Sequence, residues 1–247
     1  MQSLVDNNWK YSVYRYLWNG LDLVFPPKCG GCGKTGVRWC NDCRDKVQNL
    51  GGNLCEICGL PQDNAVVCAD CQEVKPHFHA LRSWAVFDDP VRSALHKLKY
   101  RRDIALGDTL AQEMCCFVRS LKWKFDMIVP VPLAAKRKRA RGYNQVAMIA
   151  RPLALALNVV YFPKGLMRIR ETCSQVGLNR QERRKNVQDV FLAHPGVKEN
   201  MILLVDDVST TGSTLSSCAQ ALRRSGAGNV YAVTVARALF RHGLPQA

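Results

Sequence analysis

Two adjacent carboxylates, Asp206 and Asp207, stand between four apolar residues, Ile202 to Val205, and a run of small residues, Ser209-Thr210-Thr211-Gly212-Ser213-Thr214. A loop of that composition opening a helix offers backbone N–H groups and the positive end of the helix dipole, which together make an anion site. Carboxylates just upstream can accept hydrogen bonds from the two hydroxyls of a sugar diol. A phosphate cradle beside a diol clamp describes a site for ribose 5-phosphate. The Walker-B strand of an ATPase looks alike over the first six residues, but it needs a P-loop. Gly33-Lys34-Thr35 is only a fragment of one, with Lys28 where the upstream glycine belongs.

A second chemistry is carried by cysteine. Of twelve cysteines, eight form four CxxC pairs: Cys29-Cys32, Cys40-Cys43, Cys55-Cys58 and Cys68-Cys71. Each pair forms a knuckle that aims two thiolates at one ion, and two knuckles close a tetrahedral zinc site. Four thiolates leave no open position, so such zincs are structural. An iron–sulfur cluster is the alternative, as is a redox dithiol, although redox CxxC motifs stand alone rather than in series. Short loops cost least to close, which predicts consecutive pairing and two zincs. Adjacent Cys115 and Cys116 must face different sides of a helix. They read as core filler with Cys218, leaving Cys173 as the candidate reactive thiol.

Charge is divided unevenly. Residues 1–80 hold eight basic and eight acidic side chains, while residues 81–247 hold 27 basic and 12 acidic, so the whole +15 lies in the second part. That excess predicts a polyanionic partner there: a phosphorylated sugar, a nucleotide or nucleic acid. It clusters at Arg101-Arg102, at Lys136–Arg141 with Arg139 and Arg141, and at Arg183-Arg184. Each run can equally be a solvated face. Tyr100 and Tyr143 beside basic residues suit stacking on single strands. No apolar run of membrane-spanning length is present and no secretory leader is visible, which predicts a cytoplasmic protein with reduced thiols.

These groups need elements to position them. Residues 11–25 have amphipathic helix spacing, with Pro26-Pro27 as the stop. This helix is expected to pack on the protein itself or a partner; a membrane surface is the alternative. The cysteine module follows, closing a first unit over residues 1–80. In residues 81–247, strands and helices alternate: a strand at 82–87, then a helix capped by Asp88 or Asp89 with Pro90 at its first position. Further helices fall at 104–120 and 144–157, the latter containing an unexplained Pro152. Strands fall at 127–132 and 166–169, and 170–184 is too polar for core. The prolines of Met127–Pro132 predict an edge strand or a strand running into a loop. The last unit is strand 202–205, helix 213–224 and strand 230–235. This alternation predicts an α/β fold with a parallel sheet flanked by helices and a site at the carboxyl ends of its strands. The loops after Val205 and Val131 both qualify.

The segment MILLVDDVSTTGST (201–214) closely resembles the motif by which type I phosphoribosyltransferases bind phosphoribosyl pyrophosphate (PRPP). The wider pattern is serial CxxC pairs, Phe25-Pro-Pro-Lys-Cys29, Pro-Val-Pro, Arg-x-Arg-Gly-Tyr-Asn-Gln145, then Gln175, Arg183, Asn186-Val187 and Phe191. It resembles the ComF/GntX family of phosphoribosyltransferase-like competence proteins over nearly the whole chain. The resemblance implies a type I phosphoribosyltransferase-like sheet behind a zinc-ribbon module. It implies a role in natural transformation or use of external DNA, with single-stranded DNA and competence or DNA-processing proteins as partners. It also implies PRPP held by Asp206, Asp207, Ser209, Thr210, Thr211, Gly212, Ser213 and Thr214. Mg²⁺ would accompany PRPP, and the arginines named above would cover the pyrophosphate. Hypoxanthine-type enzymes carry an Asp general base three residues after the second acid; here that position is Thr210, which cannot take a purine proton near neutral pH. Orotate- and adenine-type enzymes lack that Asp too. The alternative reading is therefore an active phosphoribosyltransferase of nucleotide salvage with no DNA role.

Overall fold

The computed structural model describes residues 26–63, 66–170 and 190–239. The expected N-terminal helix, Cys173, Arg183, Arg184 and most of the polar stretch lie outside these residues. The described elements are short helices α1 (Asn41–Asp45) and α2 (Ala69–Glu73), then β1 (Ala80–Val86), α3 (Val91–Tyr100), α4 (Ala105–Ser120), β2 (Met127–Pro130), α5 (Ala135–Arg141), α6 (Gln145–Leu157), β3 (Val160–Tyr161), β4 (Leu166–Arg168), β5 (Phe191–Ala193), β6 (Ile202–Ser209), α7 (Ser213–Arg224) and β7 (Val230–Arg237).

Five strands form one sheet in the order β1-β7-β6-β2-β3, all parallel. β6 is central and nearly continuous in apolar residues, as a strand buried on both faces must be. Its two faces belong to different cores. Leu203 and Val205 pack with α3, α4 and α6; Ile202 and Leu204 pack with α7 and with β4 and β5. β4 and β5 form a separate antiparallel pair, with Met167 opposite Leu192. The strand expected at 166–169 is therefore real but stands outside the main sheet.

β2 lies between β6 and β3, so it is not an edge strand. The other expectation, a strand whose end is forced into a loop, is what forms. Val131 N–H donates to Val205 and Phe162 N–H donates to Ile128. Donors therefore alternate along β2, and the one Pro130 lacks would face β3, which has already ended at Tyr161. Pro152 also finds a reason. It sits inside α6 and deprives the Met148 carbonyl of its helical donor. Gly107 of α4 packs directly against that carbonyl; a Cβ there would come within 2.6 Å of the oxygen. The α4–α6 crossing is as close as it is because one helix lacks a side chain where the other has an unspent carbonyl.

The cysteine-rich segment wraps the free edge of β1. Leu81 and Val86 N–H groups donate to the carbonyls of Ile57 and Gln48 at 2.7 and 2.8 Å. Arg82 donates to the carbonyls of Cys55 and Glu56. An edge that would otherwise present unpaired donors is covered. Among the described residues no helix is long and apolar enough to cross a membrane.

Candidate functional site

Eight cysteines gather into two sets, Cys29/Cys32/Cys40/Cys43 and Cys55/Cys58/Cys68/Cys71, and within each set all sulfurs lie within 4.8 Å of one another. Consecutive knuckles pair, as short loops favour. Close sulfur pairs are 3.6–3.7 Å apart. A tetrahedral ion with bonds of about 2.3 Å sets its ligands about 3.8 Å apart, so the spacing fits zinc, whereas a disulfide would need about 2.05 Å. The thiols accept backbone N–H bonds: Cys40 to Cys29, and Cys58 and Cys68 to Cys55, at 3.4–3.5 Å. Such bonds stabilise thiolate ligands. With every position taken by sulfur, these centres hold structure and have no place for substrate. The first set packs in the core with α3, α4 and α6, and the second in the core with α7. One ribbon therefore sits on each side of the sheet.

The second site lies at the carboxyl end of β6. The strand runs straight through the acidic pair to Ser209, so consecutive side chains leave toward opposite faces. Asp207, buried, points to the α6 side, where Gln145 Nε2 donates to its Oδ2 at 2.7 Å and Lys99 Nζ lies 3.0 Å away. Asp206 is half-buried, and the charges that act on it are those of Asp207 and, to a lesser degree, Lys99. Its Oδ1 accepts the Asp207 N–H at 2.8 Å.

The environments split the two carboxyls. Burial, then the charge of Asp207, pushes Asp206 up to about 8. Burial alone would also raise Asp207, but the Lys99 charge and the hydrogen bonds from Gln145 and Lys99 outweigh it and hold that carboxyl below the ordinary range.

Gly212 stands at the N-terminus of α7 with φ +77°, a left-handed turn that favours glycine. Thr211 Oγ1 meets Ser213 Oγ at 2.7 Å and accepts the Ser213 N–H at 3.3 Å. Thr210 and Thr214 flank this turn, and α7 starts four residues after β6 ends, so its N-terminus follows directly on the strand that carries Asp206. Ser209 Oγ and Arg237 Nε are buried with no partner among the described residues. Arg237 sits opposite Ser209 in the β6–β7 register and donates to the Cys58 carbonyl. The loop is thus braced from the second ribbon. His77 N–H also donates to Ser216 Oγ at 3.1 Å.

Among the described residues, the structure brings one of the predicted arginines, Arg141, to this site. Arg141 reaches Gln145 Oε1 and lies 5.2 Å over the Tyr100 ring. Arg139 lies on α5, whose side chains are all exposed or nearly so, and Arg101 and Arg102 are exposed beyond Tyr100. The residues that sequence reasoning gave no role are Lys99 and Gln145. Gln145 stands 62 residues from its carboxylate, and no local pattern links the two. Gln145 closes the Arg-x-Arg-Gly-Tyr-Asn-Gln pattern, and Lys99 stands directly before Tyr100-Arg101-Arg102, which was the available signal.

A parallel sheet with an acidic pair on its central strand and a helix opening directly after it, clasped by two four-cysteine knuckle sets, defines a phosphoribosyltransferase-like fold with a double zinc ribbon. Residues 20–72 match the model of the double zinc ribbon domain. The DNA utilization protein YhgH of Salmonella typhimurium is 34% identical over 193 residues, covering 76% of this chain and 85% of its own. Competence protein F of Haemophilus influenzae is 28% identical over 81% of this chain and 90% of its own. Competence protein ComFC of Bacillus subtilis is 27% identical over 89% of each. The chain belongs to the ComF/GntX family. Among solved structures, an adenine phosphoribosyltransferase of Trypanosoma brucei overlays loosely, with TM-score 0.38 and 14% identity over 66% of this chain and 72% of that one.

Proposed function

We propose that this is a cytoplasmic protein of DNA uptake or external-DNA use that binds PRPP, or a related ribose phosphate, with Mg²⁺, and that binds single-stranded DNA through its basic surface. The observation that supports this most is the open, hydroxyl-lined N-terminus of α7 set against two carboxylates of unlike ionisation. Backbone N–H groups and the Thr211 and Ser213 hydroxyls would hold the 5′-phosphate, and Asp206 and Asp207 the ribose. Two structural zincs, one per cysteine set, would keep the two ribbons folded against the sheet. The relatives named for DNA utilization and competence support the cellular role.

For the nucleic acid, α5 offers Lys136, Arg137, Lys138 and Arg139 on one exposed helix, continued by Arg101, Arg102 and the exposed ring of Tyr100. Phosphates would follow the cations and a base would stack on the ring. Residues 1–80 and 81–247 would then divide by role, scaffold and binding, although they share both cores.

The test titrates PRPP with Mg²⁺ and, separately, single-stranded DNA into one purified sample, following thermal melting for the first and anisotropy for the second. The reading expects a raised melting temperature with PRPP. It also expects DNA affinity that falls steeply with salt and weakens when Lys136–Arg141 is neutralised. DNA binding without salt dependence would remove the phosphate-tracking half. A PRPP response with no DNA affinity at low salt would turn the reading to nucleotide salvage.

A further inference from the structure

Lys99 stands on the last turn of α3, and its side chain is four-fifths buried. Its partner Oδ2 of Asp207 is already bonded by Gln145, whose own oxygen takes Arg141. Arg141 in turn is seated on Tyr100, the residue after Lys99. One carboxylate on the α3–α6 wall thus pairs with Lys99 and is linked to a second cation, Arg141, only through Gln145, while the second carboxylate, Asp206, faces the other side of the sheet. That wall carries surplus positive charge, and it lies across the strand end from the cradle at α7. A ribose anchored by its 5′-phosphate at α7 would present the substituent on C1 away from the cradle, toward this wall.

We propose that Lys99 is the residue that distinguishes a 1-pyrophosphorylated ribose from ribose 5-phosphate, its ammonium passing from the Asp207 carboxylate to the pyrophosphate when the ligand enters. This rests on the ribose-phosphate reading of the β6–α7 site. Before binding, Asp207 holds Lys99 in place and keeps its charge compensated. On binding, Asp207 exchanges the ammonium for the ribose hydroxyls, and the ammonium meets a doubly or triply charged group instead of a singly charged one. Gln145 keeps Asp207 oriented through the exchange because it bonds the same oxygen and is itself held by Arg141. No bond is made or broken; the device is one of recognition.

The experiment measures melting shifts and titration affinities for PRPP, ribose 5-phosphate and inorganic pyrophosphate, all with Mg²⁺, in wild type, Lys99→Gln, Lys99→Arg and Asp207→Asn. Wild type should prefer PRPP to ribose 5-phosphate. Lys99→Gln should lower PRPP affinity about tenfold or more, the usual scale for a lost charged hydrogen bond, and change ribose 5-phosphate by less than about threefold. Lys99→Arg should restore part of the preference. Asp207→Asn releases Lys99, so its affinity for inorganic pyrophosphate should hold or rise. If Lys99→Gln does not fold because it strands a buried carboxylate, the double variant Lys99→Gln/Asp207→Asn buries no unpaired charge. It should bind inorganic pyrophosphate about tenfold more weakly than Asp207→Asn alone. A Lys99→Gln protein that keeps the wild-type preference, or a double variant that binds pyrophosphate as well as Asp207→Asn does, overturns the role of Lys99 and leaves the ribose-phosphate reading standing. A wild type that responds to none of the three ligands overturns both.

Discussion

Asp206 and Asp207 are neighbours in sequence and strangers in environment. One is an acid raised to about 8 by burial and an adjacent negative charge; the other is an anion held by Lys99 and Gln145. Between its ordinary value near 3.8 and about 8, the folded chain keeps a proton on Asp206 that the unfolded chain releases. Stability should therefore fall as pH rises through that window. Asp206→Asn mimics the protonated form, so the variant should melt above wild type near pH 8.5, with the gap closing toward pH 4; parallel melting profiles would contradict the assignment. At the cradle, Thr211→Val removes the hydroxyl that pairs with Ser213 and should weaken PRPP binding by about 1.5–3 kcal/mol in a titration. The identities of these residues were legible because the motif is local. Their opposite directions were not, because the sequence alone does not say where β6 ends: apolar residues stop at Val205, but pairing with β7 carries the strand on to Ser209.

At the scale of elements, the last turn of α3 joins two sites. Lys97 donates to the carbonyls of Cys29 and Gly31 in the first knuckle, and Lys99, two residues on, reaches Asp207. Chelating the zincs should loosen that knuckle and the hold on Lys99 together. Metal analysis should find two zincs per chain, and the stripped protein should lose its melting shift with PRPP before its helical circular dichroism; an unchanged shift in metal-free protein would separate the ribbons from the site. The α4–α6 crossing gives another check: Gly107→Ala puts a methyl against the Met148 carbonyl and should destabilise by about 1–3 kcal/mol in denaturant melts. Helices were readable almost to their ends, since 104–120 and 213–224 have strong apolar periodicity and clear stops. The short strands were not. β3 has two residues and β5 three, too few for a period to emerge, and the separate β4–β5 pair depends on contacts between distant segments. The basic run at 136–141 becomes helix α5 with no buried side chain, so no apolar pattern announces it.

Over the whole molecule, a formally neutral cysteine module grips the β1 edge of a strongly basic α/β sheet, with one ribbon in each core. The division of charge was visible in the sequence; the straddling was not, because short loops favour consecutive pairing of the cysteines but say nothing of where the pairs dock. In this arrangement the ribbons brace the site from both faces, through Lys97 on one and Arg237 on the other. The central claim is that the site so braced takes a phosphorylated ribose. Isothermal titration of PRPP with Mg²⁺ into wild type and into the Asp206→Ala/Asp207→Ala variant tests it most directly. The account predicts saturable binding to wild type and none to the variant, with both proteins equally folded by circular dichroism. Heats of dilution alone from wild type, with PRPP and with ribose 5-phosphate at millimolar concentration, would contradict it.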